Sequence, residues 1–252
     1  MLLHGLTATR RYVVMGSRVL ERAGCRVVSF DARGHGESEP AAGGDYSYEA
    51  LTDDLEAVLD ACDVERAVLA GASMGAHTAA RFALERVERV AGLVLITPAY
   101  DPATFEGAAE LDGWDALARG LREGGVEGFV DAYDLDELPE SMRATIETVL
   151  RQRLGTHRFP LAVADALEAV PRSRPFAELA DLERIAVPCA VVASRDEADP
   201  SHPLHVGEAW AGAIPGARLH VEDAPPPLRS PLAWQGGQLS KVIEGVAGDE
   251  SM

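Results

Sequence analysis

The sequence predicts an α/β fold with a mostly parallel central sheet and helices on both faces. Short runs that are apolar throughout, such as 90–97, alternate with helical patterns, such as 48–62, whose apolar residues recur on one face. Strands that are apolar on both faces need cover on both sides, which is the arrangement of parallel sheets. A chain of 252 residues is long enough for one such domain with a full core.

The predicted elements alternate from the start of the chain. In order they are a strand at 1–3, a helix at 10–23, a buried strand at 26–31, a helix at 48–62, a strand at 67–70, a helix at 76–85 and a strand at 90–97. The alternation resumes with a strand at 187–194, a helix at 204–213, a strand at 218–222 and a helix at 231–246. Residues 1–100 and 183–252 are therefore predicted to form the core.

Residues 101–182, called the helical insertion below, interrupt this alternation. They contain no clear strand and show helical patterns at 114–122, 141–154 and 162–170. Ligands of parallel sheets bind at the carboxyl ends of the strands. We interpret the insertion as a cap or lid over those ends, which would shape a substrate pocket.

The segment Gly71-Ala72-Ser73-Met74-Gly75 joins the strand at 67–70 to the helix at 76–85. A G-x-S-x-G sequence between a strand and a helix predicts a nucleophile elbow, a tight turn that exposes the serine hydroxyl at the start of the helix. The helix N-terminus favours negative charge there. Ser73 is the candidate nucleophile, and the alternative is a Gly/Ser turn without chemistry.

Composition narrows the possible partners. A net charge of −18 argues against nucleic acid and anionic membrane, and the chain has no run of eighteen apolar residues and no signal peptide. Three cysteines without metal spacing suggest free thiols in a reducing cytoplasm. No dinucleotide or Walker motif is present, so we expect no cofactor and no metal. The expected partner is a small-molecule substrate or ligand, with a homo-oligomer possible.

Two further motifs complete a resemblance to the α/β-hydrolase fold family, of the esterase and lactonase kind. His4-Gly5-Leu6-Thr7 resembles the family's H-G-x-x turn, and residues 31–38 resemble its D-x-R-G-x-G-x-S loop. The resemblance implies an oxyanion hole formed by the N–H groups of Leu6 and Met74. It also implies structural roles for Asp31 and Arg33. The hairpin of two strands that usually precedes the H-G turn is missing from this sequence.

The resemblance also implies an acid in the loop after the strand at 187–194. Asp199 is the first choice, because Pro203 follows it by four residues and the next helix ends in I-P-G-A at 214–217, as in the family pattern. Asp196 is the second choice. The acid would orient a histidine and stabilise its charged form.

The histidine that the family carries after its last strand is missing. No histidine follows His220, and Arg229 stands where the base belongs. Arginine stays protonated and cannot accept a proton from a serine. A base from elsewhere is one solution, and His202 or His157 could supply it. His35 and His77 are expected to be packing residues.

Three functions follow from this pattern. The first is a serine hydrolase that acts on a small carboxylic ester, lactone or thioester through a Ser73 acyl-enzyme. The second is a catalytically impaired protein that binds a small apolar or anionic ligand, with Arg229 replacing the histidine. The third is an interaction module that uses its acidic face.

Overall fold

The computed structural model describes residues 1–105, 108–136, 138, 140–195, 199, 201–222 and 234–249. A five-stranded sheet forms its centre, in the order β1-β2-β3-β4-β5, and every strand is parallel to its neighbour. The strands are β1 (Leu2–Leu3), β2 (Ala67–Ala72), β3 (Val90–Ile96), β4 (Cys189–Ala193) and β5 (Arg218–Val221). The prediction of a parallel sheet is confirmed.

The described residues contain α-helices on both sides of this sheet. They are α1 (Val19–Arg22), α2 (Tyr48–Ala61), α3 (Met74–Glu85), α4 (Ala108–Ala132), α5 (Glu140–Leu154), α6 (Pro160–Ala169), α7 (Leu204–Ala213) and α8 (Gly236–Asp249). Short 3-10 helices lie at Ala42–Gly44, Val87–Arg89, Val170–Arg172 and Leu179–Arg184. No helix in the described ranges has the length and apolarity needed to span a membrane.

Alternate residues of the strands pack on opposite faces of the sheet. On β3, Leu93 and Leu95 join a core cluster with residues of α2, α3 and α7, whereas Val94 and Ile96 join a cluster with α1 and α8. All seven residues of β3 are buried. Two layers of helices thus cover the sheet, as the continuous apolar strands predict.

The helical insertion lies between β3 and β4 and has its own apolar core. Buried residues of α4, α5 and α6, among them Phe129, Leu150 and Val163, form one cluster, and Leu6 packs against it. A second cluster joins Ala162 of α6 to Met74 at the start of α3. The insertion therefore contacts both segments in which the sequence predicts oxyanion-hole donors.

Two predicted elements are wrong. The helix at 10–23 is reduced to α1, because Met15 and Gly16 adopt φ values of 48° and 75°, which end any helical run before residue 17. The segment 26–31 is not a buried strand. It makes one bridge, between Leu2 and Ser29, and its side chains before Asp31 are half-buried or exposed, because it lies at the edge of the sheet beside β1.

The remaining predicted elements lie within a few residues of the observed ones. The predicted strand at 187–194 is the shorter β4, and the helix at 204–213 is α7. The last helix is described from Gly236 onward, and the first residues of its predicted range, 231–233, lie outside the described residues.

Candidate active site

Ser73 occupies the sharp turn between β2 and α3. Its backbone has φ 50° and ψ −114°, a conformation that residues with a side chain rarely adopt. Ser73 precedes the first residue of α3, yet its side chain makes no capping hydrogen bond. The residue is partly exposed. The hydroxyl is therefore free for a ligand at the positive end of the helix dipole.

The two glycines of the elbow allow the backbone segments to approach closely. A Cβ on Gly71 would lie 2.1 Å from the carbonyl oxygen of Gly75, and a Cβ on Gly75 would lie 2.3 Å from that of Leu3. Both distances are far below van der Waals contact. Only glycine fits at either position, which explains the spacing of the motif around Ser73.

The predicted oxyanion donors lie in two neighbouring segments. Leu6 follows β1, which pairs with β2, and Met74 is the first residue of α3. Within the described part of the chain, neither the Leu6 N–H nor the Met74 N–H donates a hydrogen bond to a protein group. Leu6 is half-buried and Met74 begins α3, where an N–H has no intrahelical partner, so both groups can donate to a ligand oxygen.

Asp199 and His202 are joined by a hydrogen bond in the loop after β4. Asp199 Oδ2 lies 2.8 Å from His202 Nδ1, and both side chains are partly exposed. A carboxylate at Nδ1 holds the proton on that nitrogen and leaves Nε2 as an acceptor. The pair follows the carboxyl end of β4, and Ser73 follows the carboxyl end of β2, with β3 between the two strands.

His77 lies one turn into α3, behind the nucleophile. Its Nε2 accepts hydrogen bonds from the N–H groups of Ala99 (3.0 Å) and Tyr100 (3.2 Å), and its Nδ1 lies 2.7 Å from the Tyr48 hydroxyl. Burial, with a smaller contribution from nearby His202, lowers the pKa of His77 to about 3. With both nitrogens bonded, His77 anchors the loop after β3 and has no free lone pair for Ser73.

The other two histidines considered from the sequence are also bound to backbone. His35 Nδ1 lies 2.9 Å from the Arg33 carbonyl oxygen. His157, a candidate base, accepts the Gly36 N–H at Nδ1 (2.8 Å) and lies 2.9 Å from the Thr7 carbonyl oxygen at Nε2. As arranged, His157 has no acceptor left for Ser73, whereas His202 Nε2 has no hydrogen-bond partner among the described residues.

The loop that carries Asp31 and Arg33 is held by ionic hydrogen bonds, as the resemblance implies. Asp31 is buried and pairs with the guanidinium of Arg10. Arg33 pairs with Asp54 of α2 through two hydrogen bonds, of 2.7 and 2.8 Å, which raise the pKa of Arg33.

Arg153, in the last turn of α5, is a residue that sequence reasoning missed. Its Nε is buried and has no hydrogen-bond partner among the described residues. Burial lowers the pKa of Arg153, an effect opposed by Tyr12, Tyr133 and Asp199. Arg153 as a whole is half-buried, so the rest of its guanidinium can hold an anionic group of a ligand. The sequence around it, Arg151-Gln152-Arg153, gives no signal that one arginine points inward.

Two predicted site residues lie outside the described residues. They are Asp196, the second choice for the acid, and Arg229, the residue in place of the family histidine. Within the described ranges no group of three or more histidine, cysteine, aspartate or glutamate side chains is arranged to hold a metal ion.

Comparisons with known proteins agree with this architecture. Residues 1–225 match the family described as the alpha/beta hydrolase fold. The 2-hydroxy-6-oxononadienedioate/2-hydroxy-6-oxononatrienedioate hydrolase of Cupriavidus pinatubonensis is 32% identical over 215 residues, which are 80% of this chain and 70% of that protein.

Solved structures show the same fold. An esterase from Thermogutta terrifontis has a TM-score of 0.76 at 24% identity, covering 100% of this chain and 89% of that one. The enol-lactonase from Burkholderia xenovorans has a TM-score of 0.66 at 23% identity, covering 99% and 87%. The elbow, the parallel sheet and the extent of these matches lead to one conclusion: the chain belongs to the α/β-hydrolase fold family.

Proposed function

We propose that the protein is a serine hydrolase that cleaves a small carboxylic ester, lactone or thioester through an acyl-enzyme on Ser73. The observation that carries the proposal is the strained, uncapped Ser73 beside two unpaired backbone N–H groups. This combination is what acyl transfer through an oxyanion requires. The relatives, which are hydrolases by their names, support the same reaction class.

In this mechanism Ser73 Oγ attacks the substrate carbonyl carbon and gives its proton to His202 Nε2. Asp199 orients the imidazole and stabilises its charged form. The N–H groups of Leu6 and Met74 stabilise the oxyanion. His202 then protonates the leaving group, and a water molecule hydrolyses the acyl-enzyme by the reverse proton transfer.

We further propose that the substrate carries a carboxylate that Arg153 binds, with the helical insertion acting as a cap. The unpartnered Nε of Arg153 supports an anionic ligand group in the cap. The relative from Cupriavidus pinatubonensis acts, by its name, on dienedioates, which carry two carboxylates. A hydrolase for a carbon–carbon bond in such a substrate is therefore the second candidate function, and it would use the same residues.

A fluorophosphonate probe tests the nucleophile and the base. We expect stoichiometric labelling of Ser73, located by peptide mass spectrometry, and no labelling of Ser73→Ala. His202→Ala should lower the labelling rate at least about 10³-fold, because loss of the base removes the proton acceptor. His205→Ala, an exposed histidine at the start of α7, is the matched control. Equal labelling of the His202 and His205 variants would remove His202 from the mechanism.

A pair of substrates tests the role of Arg153. The 4-nitrophenyl esters of butyric acid and of succinic acid have acyl chains of equal length, and only the succinate monoester carries a carboxylate. We expect Arg153→Met to lower kcat/KM for the succinate ester by about 10- to 100-fold, the range of one charge-assisted hydrogen bond, and to leave the butyrate ester within twofold. Arg158→Met, at a half-exposed arginine nearby, is the control. A uniform loss with both esters would contradict carboxylate binding.

The alternative is a binding protein that has lost its chemistry, with Arg229 in place of the histidine. The absence of any histidine after His220 favours it. Under this alternative Ser73 is not labelled, yet carboxylates raise the melting temperature. Labelling of Ser73 in the wild-type protein would contradict the alternative of a binding protein without chemistry.

A further inference from the structure

The turn Gly5–Ala8, which carries the Leu6 N–H, is the starting point of this inference. The Ala8 N–H donates to the Gly5 carbonyl oxygen (3.0 Å), and Thr7 has φ 65°. A positive φ at the third position belongs to a type II turn, in which glycine or asparagine is usual. Thr7 is β-branched and strained there. The turn therefore depends on contacts from outside to keep its shape.

His157 supplies one such contact from the helical insertion. It lies in the link between α5 and α6, is 8% exposed, and reaches the Thr7 carbonyl oxygen with Nε2 (2.9 Å). The Gly36 N–H donates to Nδ1 (2.8 Å), so Nδ1 carries no proton and Nε2–H must be the donor to Thr7. One neutral imidazole thus connects three segments of the chain.

The neighbouring contacts all hold the link in the same place. The Arg158 N–H donates to the Gly36 carbonyl oxygen (2.8 Å). The link between α5 and α6 therefore binds both the N–H and the carbonyl group of Gly36. The His35 ring lies between the rings of His157 (5.6 Å) and His4 (5.1 Å). His4 in turn bonds the Gly5 carbonyl oxygen through Nδ1 (2.8 Å). The turn is thus hydrogen-bonded at Gly5 by His4 and at Thr7 by His157 of the insertion.

We propose that His157 is a positioning residue that fixes the oxyanion turn through its hydrogen bond to the Thr7 carbonyl oxygen. This inference rests on the proposed function, because it assigns the Leu6 N–H to the oxyanion. His157 touches neither substrate nor Ser73 and acts through Thr7. Its loss lowers transition-state stabilisation and leaves ground-state binding unchanged.

The test compares His157→Phe, which keeps a ring and removes both hydrogen bonds, with Val163→Ala. Val163 is fully buried in the apolar core of the insertion, against which Leu6 also packs, so its truncation weakens this packing and leaves both hydrogen bonds of His157 in place. With 4-nitrophenyl butyrate, His157→Phe should lower kcat by about 10- to 100-fold with KM within twofold, whereas Val163→Ala should keep kcat within twofold. His157→Gln keeps a distal N–H donor and should recover part of the loss.

Amide hydrogen exchange gives a readout that does not require activity. Exchange of the Ala8 N–H, which donates to the Gly5 carbonyl oxygen within the turn, should quicken at least tenfold in His157→Phe and stay unchanged in Val163→Ala at an equal loss of melting temperature. Unchanged kcat and unchanged exchange in His157→Phe would overturn the inference, as would an equal loss of kcat in Val163→Ala. If the wild-type protein is inactive but exchange responds as stated, the proposed function fails and the positioning of the turn by His157 stands.

Discussion

Replacing Ser73 with glycine should stabilise the protein while abolishing its reactivity. The φ of 50° and ψ of −114° at Ser73 lie outside the regions open to residues with a Cβ, and glycine adopts them without strain. The side chain makes no capping hydrogen bond to α3, so the substitution removes no interaction of the helix. The strain should be released almost completely.

The expected gain can be worked from two opposing contributions. A residue held in a sparsely populated backbone conformation costs about 1–3 kcal/mol. Glycine has more conformational freedom in the unfolded chain, which lowers the free energy of unfolding by about 0.5–1 kcal/mol. From the middle of both ranges, the free energy of unfolding should thus rise by about 1 kcal/mol, which for a domain of this size raises the melting temperature by roughly 2–4 °C.

Ser73→Ala is the control, because alanine removes the hydroxyl and keeps the Cβ that causes the strain. Urea and thermal unfolding of both variants, followed by circular dichroism, should place Ser73→Gly above Ser73→Ala and Ser73→Ala close to wild type. Neither variant should react with a fluorophosphonate. A glycine variant no more stable than the alanine variant would refute the assignment of strain to this residue.

Two further predictions concern stability. Gly75→Ala should lower the free energy of unfolding by more than about 3 kcal/mol and abolish labelling of Ser73, because the new Cβ would lie 2.3 Å from the rigid carbonyl oxygen of Leu3. Gly113→Ala, in α4 with open space around it, should stabilise by about 0.5–1 kcal/mol in the same urea titration. The second prediction is a loss of stability in mild acid, because burial lowers the pKa of His4 to about 4 and that of His77 to about 3, from 6.5 in the unfolded chain. The folded form keeps both neutral while the unfolded form takes up protons, so stability present above pH 6.5 is lost as the pH falls toward 4, by about 2 kcal/mol for the pair between pH 6 and 5. A urea midpoint that does not fall over that interval would contradict the buried, neutral state of these histidines.

Patterns that depend on local sequence predicted the framework well. The strand β3 ends one residue before its predicted end, and α7 spans the predicted range, because continuous and periodic apolar patterns directly encode which faces are buried. The elbow was predictable because the tight approach at Gly71 and Gly75 admits no side chain. In both cases the information lies within a few adjacent residues.

Features that depend on distant contacts were harder to predict. The pattern at 10–23 is helical in its apolar spacing, yet the positive φ values at Met15 and Gly16 break it, and a single sequence does not reveal that turn. The inward position of Arg153 depends on how α5 meets the loop after β4. The roles of Ser73, Asp199 and His202 stay predictions until they are measured.

The short length of β1 has a consequence for how the protein responds to heat. This two-residue strand is held by its neighbours β2 and Ser29, and it leads directly into His4 and the turn beyond. Small strand pairs open locally at far lower free energy than the centre of a sheet. Warming should therefore detach β1 and the turn Gly5–Ala8 while β3 and the helices that cover it remain folded. Any catalytic activity would then be lost several degrees below the temperature at which the circular dichroism signal is lost.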